Sequence, residues 1–470
     1  MLLTVDIGTS TFKSAIWAYD GTRLSFASYP LESSAKEGGI HEANPSQWLD
    51  AFDACCAKLG NLNLVQAIII SGNGPSLVPV LGAPAISSSL YVPSEKARLW
   101  MDRRAVKYSE KVSALMNGFV DSSFFLPKIL YIKNEEPDLY RRTKSFLGCP
   151  EFLAYTLTEQ ARTVFPCEGF DRWFWDNTIL DKLNLDAFKF PPFIRPGDVF
   201  GIISKKAAER FGFKKDIHVI SGGPDFFAAI LGSGVKKPGQ VCNRTGSSDG
   251  INLCTEKRVS NELLMSYAHP VEPYWNLSGT INTTGRAIEW AKELLGLNTI
   301  NDFIKLTKEC KNGSGGLVFL PYLAGGRAPI WNPNAKALWN GINLGTGRKE
   351  FANSILEGIG FAVKDIISII EETGEKAEQI YVTGGLAEFE NLNQIKADIT
   401  EKEIISCVSK EAELLGLAMI GSCFMEKYSS FSEASFAMCR AEKHYMPNPA
   451  NYDLYNSLYY EYKRLKDNMS

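Results

Sequence analysis

One carboxylate lies between a glycine pair and an apolar run in the segment SGGPDFFAAILGSG, residues 221–234. The glycine pair and the proline after it predict a turn, and the run that begins at Phe226 predicts a buried helix that ends at Gly232 or Gly234. Asp225 is therefore expected at a helix start, which stabilises its ionised form by about one kcal/mol or less. Such a carboxylate can cap the helix, or it can accept the proton of a hydroxyl that attacks phosphorus. Position alone favours the cap.

A turn of small residues follows an acidic strand residue in DIGTSTFK, residues 6–13. Such a turn exposes backbone N–H groups and hydroxyls that can bind phosphate oxygens. Asp6 beside it could hold Mg²⁺ through water, since Mg²⁺ prefers oxygen ligands and keeps part of its hydration shell. A hairpin in which the aspartate satisfies its own turn is an equal alternative.

Two later segments repeat this type of pattern. RTGSSDG, residues 244–250, is a second turn of small residues between two strands, and alone it favours a plain hairpin. Because a triphosphate needs binding from both sides, two such turns in matching places shift the balance toward phosphate binding. In GGLAEFENLNQ, residues 384–394, a glycine pair follows a strand and precedes a helix, where a flat ring or a sugar can approach the backbone closely.

The composition is that of an ordinary globular protein of two or three domains: 470 residues, 45% hydrophobic and 22% charged. A net charge of −3 gives no indication of nucleic acid or an anionic membrane as a partner. The start of the chain lacks the features of a signal peptide, no apolar run is long enough to cross a bilayer, and the ten cysteines are scattered. We therefore expect a cytoplasmic protein with reduced cysteines.

Strands, glycine turns and helices alternate along the chain, which predicts an α/β architecture with a ligand between two lobes. A β-meander opens the chain, with Asp20-Gly21 as a hairpin turn. A similar hairpin near residue 240 indicates an internal duplication. We predict an N-terminal domain over 1–235, a C-terminal domain over 236–430, and a tail over 431–470 that packs on the C-terminal domain.

Taken in order, these motifs resemble those of the FGGY carbohydrate kinases, and the xylulokinases and gluconokinases in particular. The resemblance covers nearly the whole chain and is carried by seven segments: DIGTS, GGPDFFAAILGSG, RTGSS, LVFLPYLAGGRAPIWNPNAKALWNGINLG (317–345), LEGIGFAVKD (356–365), VTGG…NQIKADI and EAELLGLAMIG. It implies two ribonuclease-H-like domains of the actin/hexokinase-like fold, with the active site in the cleft between them.

The resemblance also implies roles for individual residues. Asp225 would be the general base and would share Mg²⁺ with Asp6. The residues expected to bind ATP are Gly8, Thr9, Ser10, Thr11, Lys13, Thr245, Gly246 and Ser247 at the phosphates, and Gly384, Gly385 and Leu386 at the adenosine. The segments SGNGPS (71–76) and LWMDRR (99–104) occupy positions that relatives use for the sugar, which makes Asn73, Trp100, Asp102, Arg103, Glu168 and Asp225 the substrate candidates. Trp100 could instead belong to the core, and Arg103 could only pair with an acid.

The expected activity is ATP-dependent phosphorylation of a sugar, sugar acid or polyol. The acceptor stays open, because Asn73-Gly74-Pro75 replaces the Gln-Met-His run usual in xylulokinases and the Arg-Glu pair of glycerol kinases. The adenosine motif also departs from the common pattern at 386–388, as does Gly326 in GGRAP. A sugar- or nucleotide-binding regulator with little turnover is the main alternative, and an ATPase without sugar transfer is another. The oligomeric state is open, with a homodimer as one alternative.

Overall fold

The computed structural model describes residues 1–86, 90–116, 118–332 and 334–468. Contacts divide the chain into two compact units. The first comprises Met1–Gly232 and Glu413–Met438, and the second comprises Ser233–Ala412 and Cys439–Ser470. Among the described residues, no helix combines the length and the apolar character that crossing a membrane requires.

The strands are β1 (Leu2–Ile7), β2 (Thr11–Trp17), β3 (Arg23–Pro30), β4 (Ser34–Lys36), β5 (Ile40–Ala43), β6 (Ala67–Gly72), β7 (Val78–Val80), β8 (Ala85–Ile86), β9 (Leu90–Tyr91), β10 (Ala97–Arg98), β11 (Ser145–Leu147), β12 (Thr163–Val164), β13 (Phe193–Ile194), β14 (Val199–Ile202), β15 (His218–Pro224), β16 (Gln240–Thr245), β17 (Asp249–Thr255), β18 (Met265–Ala268), β19 (Trp275–Ile281), β20 (Val318–Leu320), β21 (Leu338–Asn340), β22 (Gln379–Gly384), β23 (Glu403–Cys407) and β24 (Ala441–Tyr445).

The α-helices are α1 (Ser46–Leu59), α2 (Val106–Leu115), α3 (Phe125–Glu135), α4 (Pro137–Arg142), α5 (Cys149–Thr158), α6 (Asn177–Lys182), α7 (Lys205–Phe211), α8 (Asp225–Gly232), α9 (Gly285–Leu294), α10 (Ile300–Lys308), α11 (Arg348–Glu372), α12 (Glu390–Thr400), α13 (Ala412–Phe424), α14 (Phe431–Met438) and α15 (Tyr452–Asp467). Short 3-10 helices cover Glu37–Gly39, Leu62–Leu64, Asp171–Trp173, Ala187–Lys189, Ser314–Gly316, Gly385–Glu388 and Pro449–Asn451.

The first unit is built on a six-stranded sheet of order β14-β15-β6-β1-β2-β3. Strands β1, β6 and β15 run parallel, while β2, β3 and β14 are antiparallel to their neighbours. Strands β1 and β6 are buried along their whole length and are mostly apolar, as fits strands that are covered by helices. Helix α1 packs on β2 and β3, and α5 packs on β6. The parallel strands therefore end at one common edge.

The second unit repeats this topology in a seven-stranded sheet of order β18-β19-β17-β16-β22-β23-β24. Strands β16 and β17 form a hairpin as β1 and β2 do, β22 and β23 continue the sheet in parallel, and β24 closes it in the antiparallel direction. The predicted hairpin turns thus occupy equivalent places in the two sheets. Each unit has its own apolar core, and the long helix α11 forms much of the second one.

One local prediction was wrong. Residues Gly222 to Pro224 are not a turn but the end of β15, which pairs with β6 through an irregularity between Ser221 and Pro224. A positive φ of 74° at Gly223 lets the chain bulge there, so the glycine serves the strand irregularity.

Candidate active site

Three segments of the first unit meet at the carboxyl edge of its parallel strands. Ile7 at the end of β1 and Pro224 at the end of β15 both pair with Gly72, the last residue of β6 between them. The residues that follow these strands must lie along one edge, because parallel strands end on the same side of a sheet. Asn73 and Asp225 are thereby brought together with the turn that follows β1, and ligands bind at this edge in open α/β sheets.

The turn after β1 is a tight hairpin. The Gly8 N–H donates to the Thr11 carbonyl at 3.0 Å, and a side chain on Gly8 would bring its Cβ to 2.6 Å from that same oxygen. Glycine is required because the turn closes on itself, and the polar residues at its tip, Thr9 and Ser10, are partly or fully exposed. Lys13 lies opposite Asp6 in the ladder between β1 and β2. The segment therefore presents small polar groups at the edge, as phosphate binding needs.

The carboxylates of Asp6 and Asp225 both affect the pKa of one buried thiol, that of Cys149. Cys149 begins α5 and donates its thiol to the Asn73 carbonyl at 3.0 Å. Burial raises the pKa of Cys149, and the carboxylates of Glu151, Asp225 and Asp6 raise it further, because a thiolate beside them would be repelled. Asp6 and Asp225 are thus both within electrostatic range of the same point. Asp225 is the first residue of α8, as predicted.

Asn73 and Trp100 connect the predicted sugar segments to the edge. The Asn73 side-chain amide donates to the Ile7 carbonyl at 2.8 Å, and its oxygen accepts a hydrogen bond from the Ser76 hydroxyl. The Trp100 indole N–H donates to the Thr9 hydroxyl at 3.0 Å. Trp100 is half-buried rather than part of the core, and it joins segment 99–104 to the first phosphate turn.

Asp102 and Arg103 are held in ion pairs. Asp102 is fully buried, and both of its oxygens accept hydrogen bonds from the Arg104 guanidinium. Although burial opposes ionisation, these bonds and the His41 N–H hold the pKa of Asp102 below its usual value. Arg103 pairs with Asp121. These contacts position segment 99–104, and a direct contact of Asp102 or Arg103 with sugar stays a prediction.

Glu168 lies on an exposed turn next to an aromatic cluster. Phe170, two residues later, stacks on Phe226 with ring centroids 5.3 Å apart and an angle of 16° between the rings. Phe226 directly follows Asp225, so the turn that carries Glu168 is attached to the start of α8. The role of Glu168 in sugar binding stays a prediction.

Sequence reasoning missed Lys128, which ties the two sugar segments together. Its side chain is completely buried, and the amine donates to three carbonyls, those of Pro75 at 2.8 Å, Leu99 at 2.7 Å and Arg98 at 3.3 Å. Burial lowers the pKa of Lys128. No local signal distinguishes this lysine, because its acceptors lie 29 to 53 residues earlier in the chain.

The second unit has an equivalent turn after β16, at residues 246–248. Thr245, the last residue of β16, donates its hydroxyl to the Thr383 carbonyl at 2.7 Å and pairs with Gly384 across the parallel ladder. Ser247 at the tip is exposed, while Gly246 accepts hydrogen bonds at its carbonyl from the start of α9. The predicted phosphate residues Thr245, Gly246 and Ser247 thus lie beside the predicted adenosine glycines.

Gly384 has no room for a side chain. Its φ is 86°, and a Cβ would lie 2.0 Å from the Thr245 carbonyl oxygen. Gly385 and Leu386 begin the 3-10 helix that follows, and the Leu386 side chain is buried. Beyond this helix lies a cavity of about 220 Å³ lined by Glu388, Phe389, Glu390 and Asn391 together with Ile304, Thr307, Lys308 and Leu356. Glu388 to Asn391 belong to the segment 384–394 identified from the sequence, whereas Ile304, Thr307 and Lys308 were not identified.

Two α/β units of one strand order, each with a turn of small polar residues after its first central strand, define a protein of the actin/hexokinase-like fold. The chain belongs to the FGGY family of carbohydrate kinases: the model of the family's N-terminal domain matches residues 1–232, and that of its C-terminal domain matches residues 242–425. The predicted fold class and family are thereby confirmed. So is the predicted enzyme class, an ATP-dependent carbohydrate kinase.

Relatives resemble the chain along almost its full length. A xylulose kinase from Lactococcus lactis subsp. lactis (strain IL1403) is 25% identical, with 100% of this chain and 97% of that protein covered. A gluconokinase from Bacillus subtilis (strain 168) is 22% identical over 92% of this chain and 89% of its own. A crystal structure of ligand-bound xylulose kinase from Lactobacillus acidophilus superposes with a TM-score of 0.85 at 22% identity, covering 99% and 98% of the two chains.

Proposed function

We propose that this kinase transfers the γ-phosphoryl group of ATP to a hydroxyl of a sugar, sugar acid or polyol, with Asp225 as general base. The observation that carries the proposal is the convergence of Asp225, Asn73 and the hairpin turn after β1 at one edge of the first sheet. D-xylulose and gluconate are the first acceptors to test, because the relatives are named for kinases of these compounds.

The proposed role of Asp225 is to take the proton of the acceptor hydroxyl as its oxygen attacks the γ-phosphorus, while ADP leaves. Asp225 is the first residue of α8, so its carboxylate lies at the helix start, which carries a partial positive charge. An ionised carboxylate is the form that accepts a proton. The helix position and the base role are therefore compatible, because the helix fixes the group that does the chemistry.

The phosphates would be bound by the two hairpin turns, Gly8–Thr11 with Lys13 in the first unit and Thr245–Ser247 in the second. Support comes from the turn tips, because Thr9 and Ser10 in the first unit and Ser247 in the second are partly or fully exposed. Small polar residues in an open turn can present hydroxyls and backbone N–H groups to phosphate oxygens. We propose in addition that adenine occupies the 220 Å³ cavity beyond Leu386.

The donor set at the first edge fits Mg²⁺. Within the described residues, no group of three or more His, Cys, Asp or Glu side chains is arranged to hold a metal. Mg²⁺ bound with a nucleotide usually needs only one or two protein carboxylates besides phosphate and water, and Asp6 and Asp225 would supply these. When bound, Mg²⁺ neutralises charge on the phosphates.

Substrate positioning would fall to the segments around Asn73 and Trp100, with Asp102, Arg103 and Glu168 as further candidates. The hydrogen bonds of Lys128 and Arg104 support this assignment, because they fix the backbone of both segments. A rigid backbone holds an acceptor hydroxyl in line with the phosphorus at low entropic cost. A cytoplasmic location and a homodimer stay predictions.

The first experiment is a screen of pentuloses, hexuloses, aldonates and polyols for acceptor-dependent ADP formation. We expect one class to stimulate ADP release far above the rate without acceptor. Mg·ATP binding that raises the melting temperature while no acceptor stimulates turnover would instead support a regulatory protein. ATP hydrolysis that no acceptor stimulates would support an ATPase.

The second experiment tests the base. Asp225→Asn should lower kcat by about 100-fold or more, the range general base catalysis supplies, and should leave the melting temperature and the Kd of Mg·ATP near those of the wild type. Asp181→Asn, on an exposed face of α6, is the matched control. A kcat of Asp225→Asn near that of the control would refute the base assignment.

A further inference from the structure

A buried ion pair lies behind the second phosphate turn. The Lys396 amine of α12 and the Asp249 carboxylate at the start of β17 are 3.1 Å apart, and both side chains are 0% exposed. Asn243 of β16 completes the group, because its amide donates to Asp249 Oδ2 at 3.0 Å and its oxygen accepts from Lys396 at 2.7 Å. The Lys396 amine and the Asp249 carboxylate therefore each form a hydrogen bond with Asn243 in addition to their contact with each other.

Stability alone does not account for such a pair. Removing two charges from water carries a desolvation penalty that their attraction often only balances, and well-packed apolar residues of similar volume commonly serve stability as well or better. A buried pair is better explained by a geometry that it fixes. The second oxygen of Asp249 shows which geometry that is.

Asp249 Oδ1 accepts a hydrogen bond from the Thr284 hydroxyl at 2.7 Å. The same hydroxyl lies 3.1 Å from the Gly246 carbonyl, and the Thr284 N–H donates to the Ser247 carbonyl at 3.1 Å. The next residue, Gly285, donates its N–H to the Gly246 carbonyl at 2.9 Å. A Cβ on Gly285 would lie 2.5 Å from that oxygen, so this approach requires glycine.

Because the carbonyl oxygens of Gly246 and Ser247 accept these hydrogen bonds, they point toward Thr284 and Gly285 and away from the open side of the turn. A carbonyl oxygen repels phosphate, whereas backbone N–H groups attract it. The orientation of the peptides at 246 and 247 therefore decides whether the turn can bind an anion. Thr284 fixes that orientation, and the ion pair fixes Thr284.

We propose that Lys396 and Asp249 are positioning residues that act through Thr284 to orient the second phosphate turn for ATP. This inference rests on the proposed function, in which residues 245–247 bind the phosphates. The positioning role explains why Lys396 and Asp249 are buried behind residues 245–247. Neither residue contacts the ligand in this proposal.

Two variants test the proposal by calorimetric titration with Mg·ATP. Thr284→Val removes the linking hydroxyl, and the double variant Asp249→Leu with Lys396→Met replaces the ion pair by apolar side chains. We expect both to raise the Kd of Mg·ATP about tenfold, the effect of losing a hydrogen bond to a charged group. The melting temperature of the double variant should fall, because the buried Asn243 amide loses both of these side-chain partners, whereas Thr284→Val keeps the ion pair; the KM of the acceptor should not change in either variant.

The matched control is Thr255→Val, which removes a buried hydroxyl from the far end of β17. Its Kd should change less than twofold. If both test variants bind Mg·ATP as tightly as this control, the positioning role is refuted while the proposed function stands. If the wild type itself binds no Mg·ATP, the proposed function fails and the positioning role with it. Should the double variant not fold, the result for Thr284→Val decides.

Discussion

Gly384→Ala should weaken the second unit far more than the same change one residue later. Gly384 ends β22 with a φ of 86° and pairs with Thr245 of the neighbouring parallel strand. A Cβ at this position would lie 2.0 Å from the Thr245 carbonyl oxygen, a distance at which one strand must move. The neighbouring atom is backbone, so the strain cannot be relieved by rotation of a side chain.

The magnitude follows from two contributions. The backbone of Gly384, with φ 86° and ψ −174°, is in a region essentially restricted to glycine, which costs another residue about 2 kcal/mol. Moving β16 away from β22 would also break the 2.7 Å hydrogen bond from the Thr245 hydroxyl to the Thr383 carbonyl, which contributes about 1 kcal/mol. The sum is about 3 kcal/mol. In a unit of this size, that loss lowers the melting temperature by about 6–12 °C.

The assay is thermal unfolding followed by circular dichroism, with Gly385→Ala as the matched control. A Cβ on Gly385 meets no atom within 4 Å, and its φ is not in the left-handed region. The control should therefore melt within about 1 °C of the wild type, since a change that disturbs no contact costs about 0.5 kcal/mol or less. If the two variants melt at the same temperature, the steric argument is wrong. A titration with Mg·ATP on both variants then separates stability from nucleotide binding.

Two further predictions concern the first unit. Burial raises the pKa of Glu151 to about 7, above the value of about 4.3 in an unfolded chain. The folded state therefore holds a proton that the unfolded state has released, and stability should fall by up to about 1.4 kcal/mol per pH unit as the pH rises from about 5 to 7. Urea unfolding of Glu151→Gln should show a weaker dependence, with the remainder due to Glu357, whose pKa burial also raises to about 7, whereas the exposed Glu159→Gln should keep the full dependence. Trp100→Phe removes the indole hydrogen bond to Thr9, about 1 kcal/mol, and should raise the KM of Mg·ATP about fivefold. Thr9→Ala should add nothing further in the double variant, and additive effects would contradict the coupling.

The sequence was sufficient to predict those secondary-structure elements whose conformation is determined by residues close in the chain. The Asp20-Gly21 dipeptide predicts the β2–β3 hairpin correctly, and the apolar run from Phe226 predicts α8 with its end at Gly232. The end of β15 was predicted wrongly because its ladder partner, Gly72, lies about 150 residues earlier. Glycine and proline favour a turn in isolation, but pairing with β6 decides the conformation.

The residues of the candidate site also fall into two groups, those that a local motif reveals and those that only tertiary packing determines. The two turns and Asp225 were identified because each combines residue types that bind phosphate or protons with a short, fixed spacing. Lys396 could not be identified, since a lysine in a helix is normally exposed and its partner Asp249 lies 147 residues away. Lys128 was missed for the same reason. Buried cations of this kind are determined by tertiary packing, which no single segment reveals.

The duplicated sheet suggests how one scaffold supports two different tasks. In the first unit the third parallel strand, β15, is followed by a carboxylate, Asp225. In the second unit the equivalent strand, β23, is followed by Val408, whose side chain can take no proton. The middle parallel strand ends in glycine in both units, but β6 is followed by Asn73 with its polar amide, whereas β22 is followed by Gly385, which has no side chain. Under the proposed function, the first edge holds the acceptor and its base while the second admits the flat nucleotide. Exchanging the residues at these positions would therefore abolish both functions, even though the strands that carry them are the same.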